Sequence, residues 1–368
     1  MSENPVADVD LGVLARNLAY VRTHVAPEVM TMAMVKANAY GHGLPEVAHR
    51  LAAEGTQWFG VATPDEARAV RAAASAAGVL LLIPVRDRAV ITELCDLGVA
   101  LVATDEASVD RYLAADLPRK LRLHLKVDTG MGRLGLPWTA TASVARRIAA
   151  AAQLELQGVW THFSDSDEES RAATLAQVEA FESALDELAR DGLQAPLRHA
   201  ANSAAILAYP EAHYDMVRPG IVLYGYHSSD HVAAMEPRVA PVMRLRAPIT
   251  FVKRVAAGTS VSYGRLWQAP HDTTLASLRM GYADGYPRAL TGKGWASVNG
   301  ERCPVVGRVC MDQMLLDVGA AGPVGPGDAA TLWGGDGPDA EDLARAVGTV
   351  SYELLTGLMP RVERNYLG

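Results

Sequence analysis

An apolar run ends abruptly at Lys36 and gives way to small and turn-forming residues, Ala37-Asn38-Ala39-Tyr40-Gly41-His42-Gly43. An amine at the end of a buried strand is partly desolvated, which lowers its pKa and leaves a fraction unprotonated and nucleophilic, as Schiff-base formation with a carbonyl requires. Tyr40, four residues on, is within reach of a phosphate bound at the same place. The ordinary use of such a lysine is to snorkel at a strand end above a surface turn. Other polar residues end apolar runs in the same way: Lys126 and Asp128, His162, then Asn202 and Ser203, and finally Arg218, followed by Gly220 and Ile221.

These residues need elements that bring them together. Apolar strand-like runs lie at Thr31 to Val35, Trp58 to Ala62, Val79 to Ile83, Val99 to Val102, Leu121 to Val127, Leu156 to Thr161, Leu197 to Ala200 and Tyr214 to Val217. Most gaps hold an alanine-rich amphipathic stretch such as Pro64 to Ala77 or Thr139 to Ala152, and a helix over Leu11 to Val25 precedes the first strand. Continuous apolar strands alternating with helices predict a parallel sheet covered by helices, and eight repeats predict closure into a (β/α)8 TIM barrel. The alternative, an open doubly wound sheet, has no G-x-G-x-x-G after an early strand to support a nucleotide site. Active sites of such barrels sit at the carboxyl ends of the strands, with a phosphate site often after strands seven and eight. Ser203, Gly220, Ile221 and Tyr40 would surround a phosphate there with hydroxyls and backbone N–H donors, although Arg218-Pro219-Gly220 read alone is only a turn.

Beyond Tyr226 to Pro241 the pattern changes to short alternating runs, Ala247 to Val255, Leu275 to Met280, Trp295 to Val298, Val305 to Cys310 and Leu315 to Val318, with a two-residue hairpin signal at Asn299-Gly300. Helices over Asp339 to Val347 and Ser351 to Leu358 are expected to close the chain. The expected α/β organisation is therefore a barrel over 1–235 followed by a mainly β domain over 236–368.

At 368 residues, 49% hydrophobic and 21% charged, the chain is long enough for two cores. A net charge of −8 with no basic run argues against nucleic acid or an anionic membrane as partner and for a small ligand. Three scattered cysteines, Cys95, Cys303 and Cys310, form neither a disulfide framework nor a metal-ligand spacing and are expected to be reduced. The acidic stretch His162 to Glu169 reads as a solvated helix start, so no metal is expected. No basic-then-apolar leader and no run long enough to span a bilayer is present, so a cytoplasmic location is expected.

The stretch A-M-V-K-A-N-A-Y-G-H-G around Lys36 closely resembles the signature of bacterial alanine racemases, in which the lysine carries pyridoxal 5'-phosphate (PLP). Further matches are Lys126-Val127-Asp128-Thr129-Gly130-Met131-Gly132-Arg133-Leu134-Gly135, Val261-Ser262-Tyr263-Gly264-Arg265, Gly281 to Arg288 and Gly307 to Gln313. Together they span almost the whole chain, from Asp8-Val9-Asp10-Leu11 to Arg361-Val362-Glu363-Arg364.

The resemblance implies interconversion of L- and D-alanine, supplying D-alanine for peptidoglycan, with Lys36 and Tyr263 as bases on opposite faces of the cofactor. Racemisation needs a proton removed from one face of Cα and returned on the other, which two fixed bases accomplish. A free tyrosine has a pKa of about 10 and needs cationic or hydrogen-bonding help, which the family supplies by a chain from tyrosine through histidine to arginine, here Tyr263, His162 and Arg218. Arg218 would donate to the pyridine nitrogen and keep it unprotonated, a weaker electron sink that disfavours transamination. Arg133 would contact the PLP phenolic oxygen and the substrate carboxylate, and Lys126 is a candidate for the carbamate that orients this arginine in some relatives. The backbone N–H of Met311 would bind substrate carboxylate, while Tyr282, Arg288, Arg308 and Asp312 would line the entrance. A homodimer is implied, the β domain of one subunit completing the barrel site of the other.

The sequence departs from relatives at Tyr226-His227-Ser228-Ser229, where a proline is common, and at Met359-Pro360-Arg361, which lacks a tyrosine some members place before the arginine. A broad-specificity racemase and a PLP decarboxylase on the same barrel remain alternatives. A single-barrel PLP-binding homeostasis protein is a non-enzymatic one, against which Tyr263 and the stretch after Ala247 argue.

Overall fold

A computed structural model describes residues 3–235 and 238–368, so residue 236 at the expected domain boundary lies outside the described residues. The chain divides into two compact units, one over Leu14–Ala39 and Leu44–Ala240, the other over Met1–Val13, Tyr40–Gly43 and Pro241–Gly368, each considered for its described residues.

The first unit contains all eight expected parallel strands: Met30–Met34, Trp58–Val61, Gly78–Leu81, Ala100–Ala103, Leu121–Asp128, Leu154–Trp160, Leu197–His199 and Met216–Val217. Each pairs in parallel with the next through the seventh, and the eighth pairs with the first, Met216 opposite Met30. Backbone bonds from Asp215 N–H to Arg198 O (3.1 Å) and from Arg218 N–H to Ala201 O (2.9 Å) close the ring between the seventh and the eighth. Several strands, such as Trp58–Val61, Gly78–Leu81 and Ala100–Ala103, are short and wholly apolar because helices cover their outer faces while side chains fill the interior, whereas Leu121–Asp128 alternates apolar with polar residues. Trp58–Val61 and Ala100–Ala103 are buried throughout. Capping residues set helix starts: Thr63 and Glu66 form a capping box at Pro64–Ala73, Asp105 caps Glu106–Leu113, and Asn202 caps Ser203–Ala208. Parallel pairing puts every strand's carboxyl end at one end of the barrel, which is where the polar residues of interest follow.

The second unit is built on the long strand Met243–Val255, which pairs antiparallel with Val6–Asp10, Ala329–Trp333 and Thr273–Leu278. Trp295–Val298 and Glu301–Val306 form the expected hairpin, with Asn299 at φ 52° and Gly300 at φ 81°, both central residues left-handed as this turn requires. The strand expected over Val305 to Cys310 instead ends at Val306, where Gly307 turns to φ 67°. Helices Ala340–Val347 and Ser351–Thr356 occur as expected. The amino-terminal strand Val6–Asp10 joins this unit and pairs in parallel with the carboxy-terminal strand Glu363–Leu367. Buried Asp8 anchors that junction: burial works against its carboxylate, but hydrogen bonds from Arg246, Asn365 and Arg244 outweigh burial and hold its pKa below the usual range. The three cysteines are free. Among the described residues no helix is long and apolar enough to cross a membrane.

Candidate active site

Lys36 follows the first strand at the barrel's carboxyl end and is half-buried. Burial pushes its amine below the usual lysine value, the charges of Arg133 and Arg218 push the same way, and only Glu66 opposes. The chain beyond it coils left-handed over four consecutive non-glycine residues, Ala37, Asn38, Ala39 and Tyr40, at φ of 53°, 54°, 53° and 53°. Such a turn costs roughly 1–2 kcal/mol per residue for L-amino acids and persists only where its surroundings hold it. Two side chains do so: Glu66 accepts the N–H of Ala37 (2.6 Å) and of Ala62 (2.8 Å), and Asn38 accepts the N–H of Leu44 (2.9 Å).

Arg218, 3% exposed, has no carboxylate partner among the described residues. Its guanidinium donates instead to the carbonyls of Thr161 (2.7 Å) and Ala200 (2.8 Å), to His199 Nδ1 (3.0 Å) and to His162 Nδ1 (3.3 Å). Burial drives its pKa down to about 9, which still leaves it protonated at neutral pH. Because a guanidinium only donates, both histidines must accept at Nδ1 and carry their proton on Nε2. His199 then donates onward to His124 Nδ1 (2.8 Å), and its ring stacks on Trp160 at 5.7 Å. Burial, with Arg218 adding, holds His162 and His199 well below the usual histidine value and His124 at about 3, so all three stay neutral.

Lys126, buried, donates to the carbonyl of Val127 (2.7 Å) and faces Trp160 (5.0 Å). Burial, aided by the Arg218 charge, lowers its pKa to about 7. Arg133 is exposed on the loop after the fifth strand. Gln177 on the helix Ala172–Arg190 latches that loop to the one after the sixth strand: its Nε2 donates to Thr129 Oγ1 and to the carbonyl of His162 (both 3.2 Å), and its Oε1 accepts from the N–H of Ser164 (2.9 Å). Ser203 Oγ accepts the N–H of Gly220 (2.9 Å), so serine, glycine and the start of the short helix Ile221–Tyr224 form one cluster of hydroxyl and backbone N–H groups. Lys36, Lys126, Arg133, His162, Ser203, Arg218, Gly220 and Ile221 thus all belong to the barrel unit.

The remaining residues belong by their contacts to the β unit. Tyr40 is buried there, its ring 6.0 Å from that of Tyr352, and burial pushes its phenol pKa upward, leaving it protonated at neutral pH. Tyr263 is 74% exposed on the turn Tyr263–Arg265. With Tyr282, Arg288, Arg308, Met311 and Asp312 it lines a concavity of about 1170 Å³. Arg361 joins Asp312 (2.7 Å) to buried Asp284 (3.1 Å), which caps the turn carrying Tyr282.

Sequence reasoning passed over Glu66, Gln177, His124, His199 and Tyr352. His199 ends a strand just as His162 follows one, a parallel that was there to be read. The pairing of His199 with His124, 75 residues apart, left no local signal.

The donor set, one amine of lowered pKa among guanidinium, lysine, hydroxyl and backbone N–H groups, fits a carbonyl compound bearing a phosphate. Comparison with known proteins agrees. Residues 9–228 match the model of the alanine racemase N-terminal domain and residues 242–366 that of the C-terminal domain. The chain is 41% identical to the alanine racemase of Chlorobaculum tepidum over 97% of this chain and 94% of the relative. It is also 41% identical to that of Salinispora tropica, over 98% and 97%. The crystal structure of the Streptomyces lavendulae alanine racemase superposes with a TM-score of 0.93 at 35% identity, covering 100% of this chain and 98% of that one. The Pseudomonas aeruginosa biosynthetic enzyme gives 0.90 at 35%, covering 100% of both. Fold and sequence together define an enzyme, a racemase of the PLP-dependent class. The chain belongs to the alanine racemase family.

Proposed function

We propose that this chain interconverts L- and D-alanine with PLP held covalently by Lys36, and that it supplies D-alanine for peptidoglycan in the cytoplasm. The observation that carries the reading is the lowered amine of Lys36 at a strand end, with the charges of Arg133 and Arg218 acting on it. Such a cluster of positive charge suits a phosphorylated cofactor and a substrate carboxylate. Bound PLP supplies the electron sink that acidifies the Cα–H of an attached amino acid.

The chain's own residues would do the rest. Ser203, Gly220, Ile221 and Tyr40 would hold the phosphate, Arg218 the ring nitrogen, and Arg133 the phenolic oxygen and substrate carboxylate, with the N–H of Met311 on the same carboxylate. Lys36 would take and return the proton on the D face and Tyr263 on the L face, helped by His162 and Arg218. Tyr282, Arg288, Arg308 and Asp312 would filter entry. Lys126, with its pKa near 7, has the neutral amine that carbamate formation with carbon dioxide needs. We take the chain division at 235/236 and a homodimer in which the β domain of one subunit completes the barrel site of the other.

The test is to purify the protein, incubate it with several L-amino acids and follow the D product. Visible absorption that borohydride bleaches, with the reduced label mapping to Lys36 and D-alanine as the preferred product, is expected. Protein that stays colourless and inactive with added PLP contradicts the reading. A decarboxylated amine as the product would favour a decarboxylase.

A further inference from the structure

Ser262 stands directly before Tyr263 with φ 62° and ψ 179°, a backbone region occupied almost only by glycine. What holds a serine there is a set of hydroxyl contacts, chiefly to Arg308, with Cys310 Sγ at 3.7 Å beside them. Its hydroxyl donates to the carbonyl of Arg308 (3.2 Å) and accepts that residue's N–H (3.1 Å), so both backbone groups of Arg308 close on one side chain. The guanidinium of Arg308 in turn donates from Nε to the carbonyl of Tyr263 (3.0 Å). Space for the arrangement comes from Gly307, at φ 67°, where a Cβ would stand 2.5 Å from that of Ser262. Tyr263 projects from a short exposed turn that the Arg265 N–H to Ser262 O bond (3.2 Å) and the pairing of Val261 with Trp267 close, and the Arg308 contacts act on it from the side of Ser262 and the Tyr263 carbonyl.

We propose that Ser262 is a positioning residue for Tyr263, using a strained backbone held by paired bonds to Arg308 to fix where the phenol points. The proposal rests on the reading of Tyr263 as the L-face base and adds how that base is aimed. Serine fits where its nearest alternatives do not: glycine would adopt the conformation without strain but leave both backbone groups of Arg308 without the hydroxyl, and alanine would keep the strain and lose the bonds.

The experiment compares Ser262→Ala, Ser262→Gly and Tyr263→Phe in the PLP-loaded enzyme by Cα hydrogen exchange of L- and D-alanine in D2O. Ser262→Gly covers the case in which Ser262→Ala fails to fold, since it carries no strain. In both serine variants exchange from L-alanine should fall about 10- to 100-fold, as for a reacting group misplaced by about 1 Å, while exchange from D-alanine stays within about 2-fold. A second readout needs no turnover: in PLP-free protein labelled with fluorotyrosine, the 19F line assigned by its loss in Tyr263→Phe should broaden or shift in Ser262→Gly. Equal slowing from both enantiomers, or an unchanged line and unchanged exchange, overturns the proposal when Tyr263→Phe itself is asymmetric. A symmetric Tyr263→Phe overturns the base assignment and this proposal with it.

Discussion

Lys126 combines full burial, a pKa near 7 and a Trp160 face with no carboxylate bonded to its amine among the described residues. Its folded pKa lies below the unfolded value of 10.5, so the unfolded chain binds the extra proton between about pH 7 and 10.5, and stability rises with pH across that window. Below about pH 7 both states carry the charge and the folded state bears the whole cost of burying it. Lys126→Met should therefore raise the melting temperature of PLP-free protein in carbon dioxide-free buffer. The gain should be largest at and below pH 7 and shrink as pH climbs toward 10.5, as thermal denaturation at several pH values will check. In 13C-bicarbonate a carbamate would instead give a carbonyl resonance absent from Lys126→Met, and the same substitution would then destabilise. A stability gain in bicarbonate with no resonance would leave Lys126 a plain amine.

At the scale of elements, the left-handed coil after Lys36 makes a prediction opposite to the usual rule for alanine. Ala37 is exposed at φ 53°, so Ala37→Gly should leave stability unchanged or raise it by up to about 1 kcal/mol, whereas valine at buried Ala39, also at φ 53°, should cost more than about 2 kcal/mol. Chemical denaturation measures both, and a destabilised Ala37→Gly would mean that the coil is not left-handed in solution. The barrel strands were legible as apolar runs, unbroken in Trp58–Val61, Gly78–Leu81 and Ala100–Ala103 and alternating with polar residues in Leu121–Asp128, each followed by a helical stretch, and the hairpin because Asn-Gly admits two left-handed residues. Strands Val6–Asp10 and Glu363–Leu367 were not, because polar residues interrupt them and their partners lie more than 200 residues away or at the opposite end of the chain. Lys36 and Arg218 stood out at the ends of apolar runs, Lys36 also within a family motif, and Tyr263 by its family motif alone. The ties that hold the site, Glu66 to Ala37 and Gln177 between two loops, join residues with no local sequence relation. Sequence reasoning likewise gave no sign that Tyr352 lies against Tyr40, or that Arg361 ties Asp312 to Asp284.

For the whole molecule, Lys36 and Tyr263 belong to different units, and the proposed dimer assigns the two to different subunits of each site. Mixing inactive Lys36→Ala and Tyr263→Phe proteins under subunit exchange should restore part of the activity, since hybrid dimers would contain one intact site. No recovery despite demonstrated exchange would point to sites built within one chain. The central claim is that two bases divide the faces of one substrate carbon, and it is tested most directly by the Cα exchange of Tyr263→Phe in D2O. That variant keeps the ring and removes only the hydroxyl, so PLP absorption should persist while racemisation falls by the roughly 10²- to 10⁴-fold typical of a lost general base. Exchange should continue from D-alanine through Lys36 and nearly vanish from L-alanine; equal exchange from both enantiomers would contradict the account.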